Sequence, residues 1–197
     1  MKYVNLPPDK KIDKYAYNHQ ALLGSGTYGK VYLGKTYGKN DLVAIKCLDN
    51  KDISSNYMKT ALENEIKIMR KLKSSFIVEL YDVLVTSNHT YLVQEFCNEG
   101  DYRKFLAKKG AIPEPEALKY ITELILGCKE LYSMKIMHRD LKPENCLLNN
   151  GVLKLADFGF SKLLDEPNQM LDTTLGTPLY MSPQILKGGK YNNKSDV

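Results

Sequence analysis

Between His138 and Asn145 the chain reads HRDLKPEN, which sets a carboxylate (Asp140), an ammonium (Lys142) and a carboxamide (Asn145) within six positions. A purely structural account, with Asp140 capping a helix and Pro143 ending a strand, leaves Lys142 and Asn145 without a task. The three together need a partner elsewhere in the chain that binds charge. Gly24-Ser25-Gly26-Thr27-Tyr28-Gly29 fits the pattern GxGxxG. Three glycines in a turn often mark only a turn, and two ligand-binding readings compete with that one. In a dinucleotide fold the motif follows a strand and opens a helix. Here KVYLGK follows, with Val31 and Leu33 alternating with more polar neighbours, which continues as a strand. A strand–loop–strand hairpin would lay glycine backbone over phosphates, with its N–H groups aimed at the anion.

Lys46 closes the apolar run Val43-Ala44-Ile45. An ammonium there is costly unless it reaches water or finds an anion. The first account is a lysine that snorkels from a strand end; the second gives it a phosphate on one side and a carboxylate on the other. Glu63 and Glu65 are the available carboxylates, and Glu65 is favoured because it neighbours Ile66 and Met69 on the inward side of the next helix.

The elements that must position these groups are legible in outline. Residues 18–96 alternate in short segments, with Tyr37–Asp41 as a turn between two strands and further strands around Ile77–Val85 and Thr90–Phe96. MKTALENEIKIMRKLK interrupts them as an amphipathic helix with Leu62, Ile66, Met69 and Leu72 on one side. After Gly100 the pattern becomes helical. Asp101–Lys109 suits a short helix, and Pro113 opens a longer one. Its stripe of Ala117, Tyr120, Ile121, Leu124, Ile125, Cys128, Leu131 and Tyr132 predicts a buried helix. A strand-rich part thus precedes a helix-rich part, with the boundary near Cys97–Gly100, and two unlike lobes would meet at a ligand cleft.

Composition sets the outer limits. The 197 residues suffice for one core or two small lobes. Apolar residues make up 43% and charged residues 26%, with a net charge of +5 and no basic run long enough for a nucleic-acid arm. Cys47, Cys97, Cys128 and Cys146 form no CxxC pair and read as reduced thiols of a cytoplasmic protein rather than a metal site. No apolar run is long enough for a membrane span, and the N-terminal residues lack the apolar core of a signal sequence.

GSGTYGKV, VAIK, a helix glutamate, HRDLKPEN and ADFG occur in one order. Together they resemble the eukaryotic protein kinase family, from about Tyr17 to the last residue. The resemblance implies an α+β fold of two lobes. These are an antiparallel, β-rich N-lobe over 17–96 with one key helix, and a mainly helical C-lobe over 97–197, preceded by an extension over 1–16. It implies ATP and Mg²⁺ as cofactors and phosphorylation of serine or threonine on protein substrates. Gly24, Ser25, Gly26 and Gly29 would cover the phosphates. Leu23, Val31 and Ala44 would enclose the adenine from above and Leu147 from below, with the backbones of Glu95 and Cys97 at its edge and Asp101 at the ribose. Lys46, held by Glu65, would bind the α- and β-phosphates. Asp140 would accept the substrate proton, Lys142 would steady the γ-phosphate, and Asn145 and Asp157 would hold the metal.

The family further implies that Thr177 contacts the catalytic loop and that Asp196 bonds to backbone near His138. Thr173 and Thr174 are the expected phosphate acceptors, modified by an upstream kinase or by the chain itself and read by Arg139. FCNEGDYRKFL, IMHRDLKPEN and LADFGFSKLL look most similar to the autophagy-initiating kinases. Two departures stand out. Gln184 replaces the family's glutamate and cannot form its ion pair. The sequence also stops where a central apolar helix begins in the family. The C-lobe is therefore expected to be incomplete, the helix over 113–134 to expose apolar surface, and this chain to have low stability and activity. The alternative function is a nucleotide-binding regulatory module with little or no catalysis.

Overall fold

The computed structural model describes residues 6–26, 29–39, 41–53, 55–166 and 168–196. The chain divides into two compact units. One takes the residues up to Thr60 together with Glu79–Phe96, and the other takes Ala61–Val78 and everything from Cys97 onward.

The first unit is built on a six-stranded antiparallel sheet. Its strands are β1 (Lys10–Ile12), β2 (Tyr15–Gly26), β3 (Gly29–Thr36), β4 (Leu42–Asp49), β5 (Leu80–Val85) and β6 (His89–Glu95), in the order β1-β2-β3-β4-β6-β5. Register sorts the side chains, because alternate residues face opposite sides. Tyr32 pairs with Ile45, Ile45 with Val93, and Cys47 with Tyr91. That face packs into a core with Tyr15, Tyr17 and Val43. Tyr17 and Tyr32 stack at 4.8 Å between ring centroids. Val31 pairs with Lys46 and Leu33 with Ala44, so Val31, Ala44 and Lys46 share the other face. The stretch expected to be an extension before Tyr17 joins the sheet: Lys10 pairs with Tyr17 and Ile12 with Tyr15. The Asp9 carboxylate accepts from the His19 amide and lies 2.8 Å from His19 Nδ1.

Helix α1 (Asn56–Lys71) starts where the Ser55 hydroxyl accepts the Met58 amide and ends on Arg70 and Lys71, cations that suit the C-terminal dipole. Its inward side differs from the expected stripe. Glu65, Ile68, Met69 and Leu72 are buried, whereas Leu62 and Ile66 are only half-buried.

The second unit holds α2 (Tyr102–Lys109), α3 (Glu114–Ser133), a four-residue helix α4 (Pro183–Leu186) and five short strands. The strands are β7 (Gly100–Asp101), β8 (Ile136–Met137), β9 (Cys146–Asn149), β10 (Val152–Leu155) and β11 (Lys162–Leu163). β9 pairs with β10 on one side and β7 on the other, and β8 pairs with β11. Helix α3 buries Tyr120, Glu123, Gly127 and Leu131, and the Glu123 carboxylate accepts the Leu153 amide at 2.8 Å. The stripe of α3 is only partly buried, and the helix exposes apolar surface as expected for 113–134. Leu118, Ile121, Ile125 and Tyr132 are exposed, Ile125 by 59%. The spacing of these side chains by three, four and seven residues places them on one side of the helix, an apolar seam toward solvent.

Candidate active site

Two small strand pairings set two loops side by side. Cys146 pairs with Leu155, so Asn145 and Ala156 are neighbours at the open end of the β9–β10 hairpin, and the Ala156 amide donates to the Asn145 carbonyl at 2.8 Å. Met137 pairs with Lys162, so His138 starts its loop beside Ser161. Residues 138–145 therefore run from β8 to β9, and residues 156–161 from β10 to β11. His138 and Phe158 are both fully buried, with ring centroids 5.2 Å apart. Asp157, immediately before Phe158, takes φ 61°, an αL conformation that a short polar side chain tolerates, and is exposed while Phe158 is buried.

The Asp140 carboxylate, 5% exposed as a residue, is the focus of the first loop. Its Oδ1 accepts the Thr177 amide at 2.9 Å and the Thr177 hydroxyl at 2.7 Å. Its Oδ2 accepts Asn145 Nδ2 at 2.8 Å and lies 2.7 Å from Lys142 Nζ. Lys142 Nζ also donates to Thr177 Oγ1 at 2.7 Å. Burial alone would raise the Asp140 pKa. The Lys142 and Thr177 hydrogen bonds, the Lys142 charge and the Asn145 amide outweigh it and hold the carboxyl below its ordinary value. Asn145 Nδ2 donates a second time, to the Asp140 carbonyl, which orients Oδ1 as the end of the amide suited to a hard cation.

Backbone approach fixes this arrangement. Gly176 has φ 121°, and a Cβ there would sit 2.6 Å from the Arg139 carbonyl oxygen. Arg139 itself has φ 68°, and its Nε donates to the Phe160 carbonyl at 2.6 Å. Asp196 accepts the His138 amide at 2.6 Å and the Arg139 amide at 2.9 Å, as the resemblance implied. Burial pushes the Asp196 carboxyl up.

His138 donates or accepts through both nitrogens: Nε2 lies 3.1 Å from the Ala156 carbonyl and Nδ1 is 3.3 Å from the Asp140 amide. An amide must donate and a carbonyl must accept, so only the neutral Nε2–H tautomer satisfies both. Burial pushes its pKa down, against the pull of Asp196, the Ala156 carbonyl and the other carboxylates. An unfolded histidine takes up its proton near pH 6.5. The stabilisation from a neutral His138 is therefore present above about pH 6.5 and is lost as pH falls toward the lower folded value. The ring resonances of His138 are expected to titrate below the unfolded value near 6.5. A proton NMR titration checks this, and a protonation step at or above that value would refute the effect of burial.

The remaining predicted residues are described unit by unit. In the first unit Gly26 pairs with Gly29, Ser25 with Lys30 and Gly24 with Val31, which makes the glycine run the tip of the β2–β3 hairpin. Leu23 sits at a register shift, and Thr27 and Tyr28 lie outside the described residues. A Cβ on Gly29 would overlap the Cys47 carbonyl oxygen, so the hairpin approaches β4 more closely than a side chain allows. Val31, Ala44 and Lys46 share one sheet face, and Glu95 ends β6, its carboxylate 3.3 Å from the Glu79 amide.

In the second unit Cys97, Val78 and Ala156 form a small apolar cluster against which Leu147 packs, and Leu147 pairs with Asp101. Asp101 has a role the sequence reading left out. It caps α2, with Oδ1 accepting the Lys104 amide at 2.8 Å and Oδ2 2.8 Å from Lys104 Nζ. The Asp-Tyr-Arg-Lys start of that helix carries the signal. Glu65, buried, has its carboxylate beside Gly159: a Cβ there would lie 3.3 Å from Asp157 Oδ1 and 3.8 Å from Glu65 Oε2. Glu63 is exposed.

The protein kinase domain family matches residues 17–197, and the chain belongs to that family. It is 35% identical to the serine/threonine-protein kinase ULK1 of Homo sapiens over 94% of this chain and 18% of that protein. It is 39% identical to the CBL-interacting serine/threonine-protein kinase 2 of Arabidopsis thaliana, over 89% of this chain and 39% of that protein. Identity to the serine/threonine-protein kinase unc-51 of Caenorhabditis elegans is 35%, over 95% of this chain and 23% of that protein. The chain thus spans less than half the length of each. Among the described residues no helix is long and apolar enough to cross a membrane.

Proposed function

We propose that this chain transfers the γ-phosphoryl group of ATP to serine and threonine hydroxyls of protein substrates. The observation that carries the reading is the Asp140 carboxylate, held ionised and aimed by Thr177, Asn145 and Lys142. The names of its relatives supply the serine/threonine class.

In this reading the glycine hairpin covers the phosphates with backbone N–H groups, and Lys46, held by Glu65, binds the α- and β-phosphates. Leu23, Val31, Ala44 and Leu147 enclose the adenine, whose edge meets the backbones of Glu95 and Cys97. Asp101 keeps lone pairs for a ribose hydroxyl while it caps its helix. Asn145 Oδ1 and the Asp157 carboxylate are oxygen donors of the kind magnesium prefers, and the ion, when bound, would neutralise charge on the phosphate oxygens. Asp140 orients the acceptor hydroxyl and takes its proton. The hydroxyl oxygen bonds to the γ-phosphorus, the bond to the β,γ-bridging oxygen breaks, and ADP leaves. Lys142 neutralises charge on the transferring group. Thr173 and Thr174, both exposed, are the proposed activating acceptors.

The test is transfer of label from γ-labelled ATP to a generic protein substrate, with the Asp140→Asn protein as the blank and mass spectrometry of residues 173 and 174 on the same sample. Label on serine or threonine that the blank does not give supports the reading; equal label in both preparations overturns it. The exposed seam of α3 favours a second reading, a nucleotide-binding docking module. A thermal shift with Mg-ATP but no transfer would select it, and a shift with NAD alone would reject both.

A further inference from the structure

We propose that Tyr191 is a positioning residue for phosphoryl transfer: it clamps residues 171–173 and so holds Thr177 against the Asp140 carboxylate. The inference rests on the kinase reading for its catalytic consequence, though not for its geometry. Tyr191 is 3% exposed and belongs to a cluster with Met137, Leu164, Leu171 and Ile185, against which Met181 packs. Met137 immediately precedes His138. The ring therefore belongs to the same packed group as the root of the catalytic loop and both ends of the 171–181 stretch.

Three hydrogen bonds fix the register. The Leu171 amide donates to the Tyr191 carbonyl at 2.7 Å, and the Tyr191 amide returns one to Leu171 at 2.9 Å. The Tyr191 hydroxyl donates to the Thr173 carbonyl at 2.6 Å. From Thr173 only Thr174, Leu175 and Gly176 intervene before Thr177. A slip of one residue would move Thr177 by about 3.5 Å, since extended chain advances by that much. Hydrogen bonds of 2.7 and 2.9 Å to Asp140 do not survive such a shift. On the other side the Ser182 hydroxyl lies 3.2 Å from the Ser195 hydroxyl. Gln184 is exposed and lends its backbone carbonyl to the Gly189 amide. Tyr191 ties the start of this segment, at Leu171 and Thr173.

Tyr191→Phe keeps the ring and removes the hydroxyl. Its first readout is hydrogen exchange at the Thr177 amide, followed by NMR, with the Leu153 amide, bonded to Glu123, as reference. Thr177 exchange is expected to rise roughly fivefold to tenfold while Leu153 is unchanged. The second readout is kinetic. A fall in kcat of roughly fivefold to tenfold is expected, with KM for ATP unchanged. Tyr191→Leu removes the ring as well and should lose more; if it fails to fold, the phenylalanine variant decides. Unchanged Thr177 exchange in Tyr191→Phe overturns the proposal whether or not the protein transfers phosphate. A wild-type protein that transfers none sinks the kinase reading and leaves the exchange result to judge the clamp.

Discussion

Replacing Asp140 with asparagine is expected to lower kcat by roughly two to four orders of magnitude, the usual weight of a positioned proton acceptor. The amide cannot take the substrate proton, and it also breaks the local hydrogen bonding. Both Thr177 donors converge on Oδ1, and the Asn145 amide and Lys142 ammonium converge on Oδ2. Whichever way the new side chain is turned, its NH₂ faces donors. A buried donor facing donors costs about 1–3 kcal/mol, so the unfolding midpoint should fall as well. Mg-ATP binding, read by thermal shift, should persist. A kcat within threefold of wild type, about the scatter of such measurements on the energy scale of RT, would remove Asp140 from its role. The pH dependence follows from the depressed pKa. The stabilisation from ionised Asp140 is complete above the unfolded carboxyl value, near 3.9, and disappears as pH drops through the lower folded value.

Gly176→Ala is the second large effect. The glycine has φ 121°, which an L side chain rarely adopts, and the new methyl would lie 2.6 Å from the Arg139 carbonyl oxygen, a rigid neighbour. Strain of this kind costs roughly 1–3 kcal/mol, and the segment relieves it by moving away from the catalytic loop. Thr177 moves with it, and Asp140 loses two charge-assisted hydrogen bonds. Activity on a protein substrate should fall roughly a hundredfold on that account. Gly188→Ala is the matched comparison. Gly188 has φ 66° but nothing within 4 Å of its missing Cβ. It should cost stability without much loss of activity. Steady-state assays of both proteins decide the matter, and equal losses would show that backbone strain, not the Arg139 contact, governs the result.

Much of the catalytic loop was readable from the sequence because its chemistry is local. Asp140, Lys142 and Asn145 are close in the chain, and Asn145 and Asp157 flank a single hairpin, β9–β10. Stripes were less informative. An apolar stripe records which residues avoid water, not which face finds a neighbour: the stripe of α3 alone predicts a buried helix, and only the resemblance pointed to the exposed surface on which Ile121 and Ile125 lie. In α1 the inward side turned by one position, onto Ile68, because Glu65 takes a buried place that a hydropathy pattern assigns to an apolar residue. β1 has three residues, too few to show an alternation, and its pairing comes from the turn at Asp13. Asp101 carries an N-cap signal at the start of α2 that a ribose role alone does not use. Tyr191 bonds to a backbone carbonyl, and a backbone acceptor carries no side-chain signature.

The crowding of donors on Asp140 has a consequence for substrate selection. Thr177, Asn145 and Lys142 already occupy both oxygens in the resting protein. An arriving hydroxyl must displace a resident donor, so the encounter exchanges one bond for another and adds little affinity. Under the proposed function, discrimination among polypeptides would therefore originate away from the acceptor oxygen, and a free serine or threonine should be a poor competitor even at high concentration.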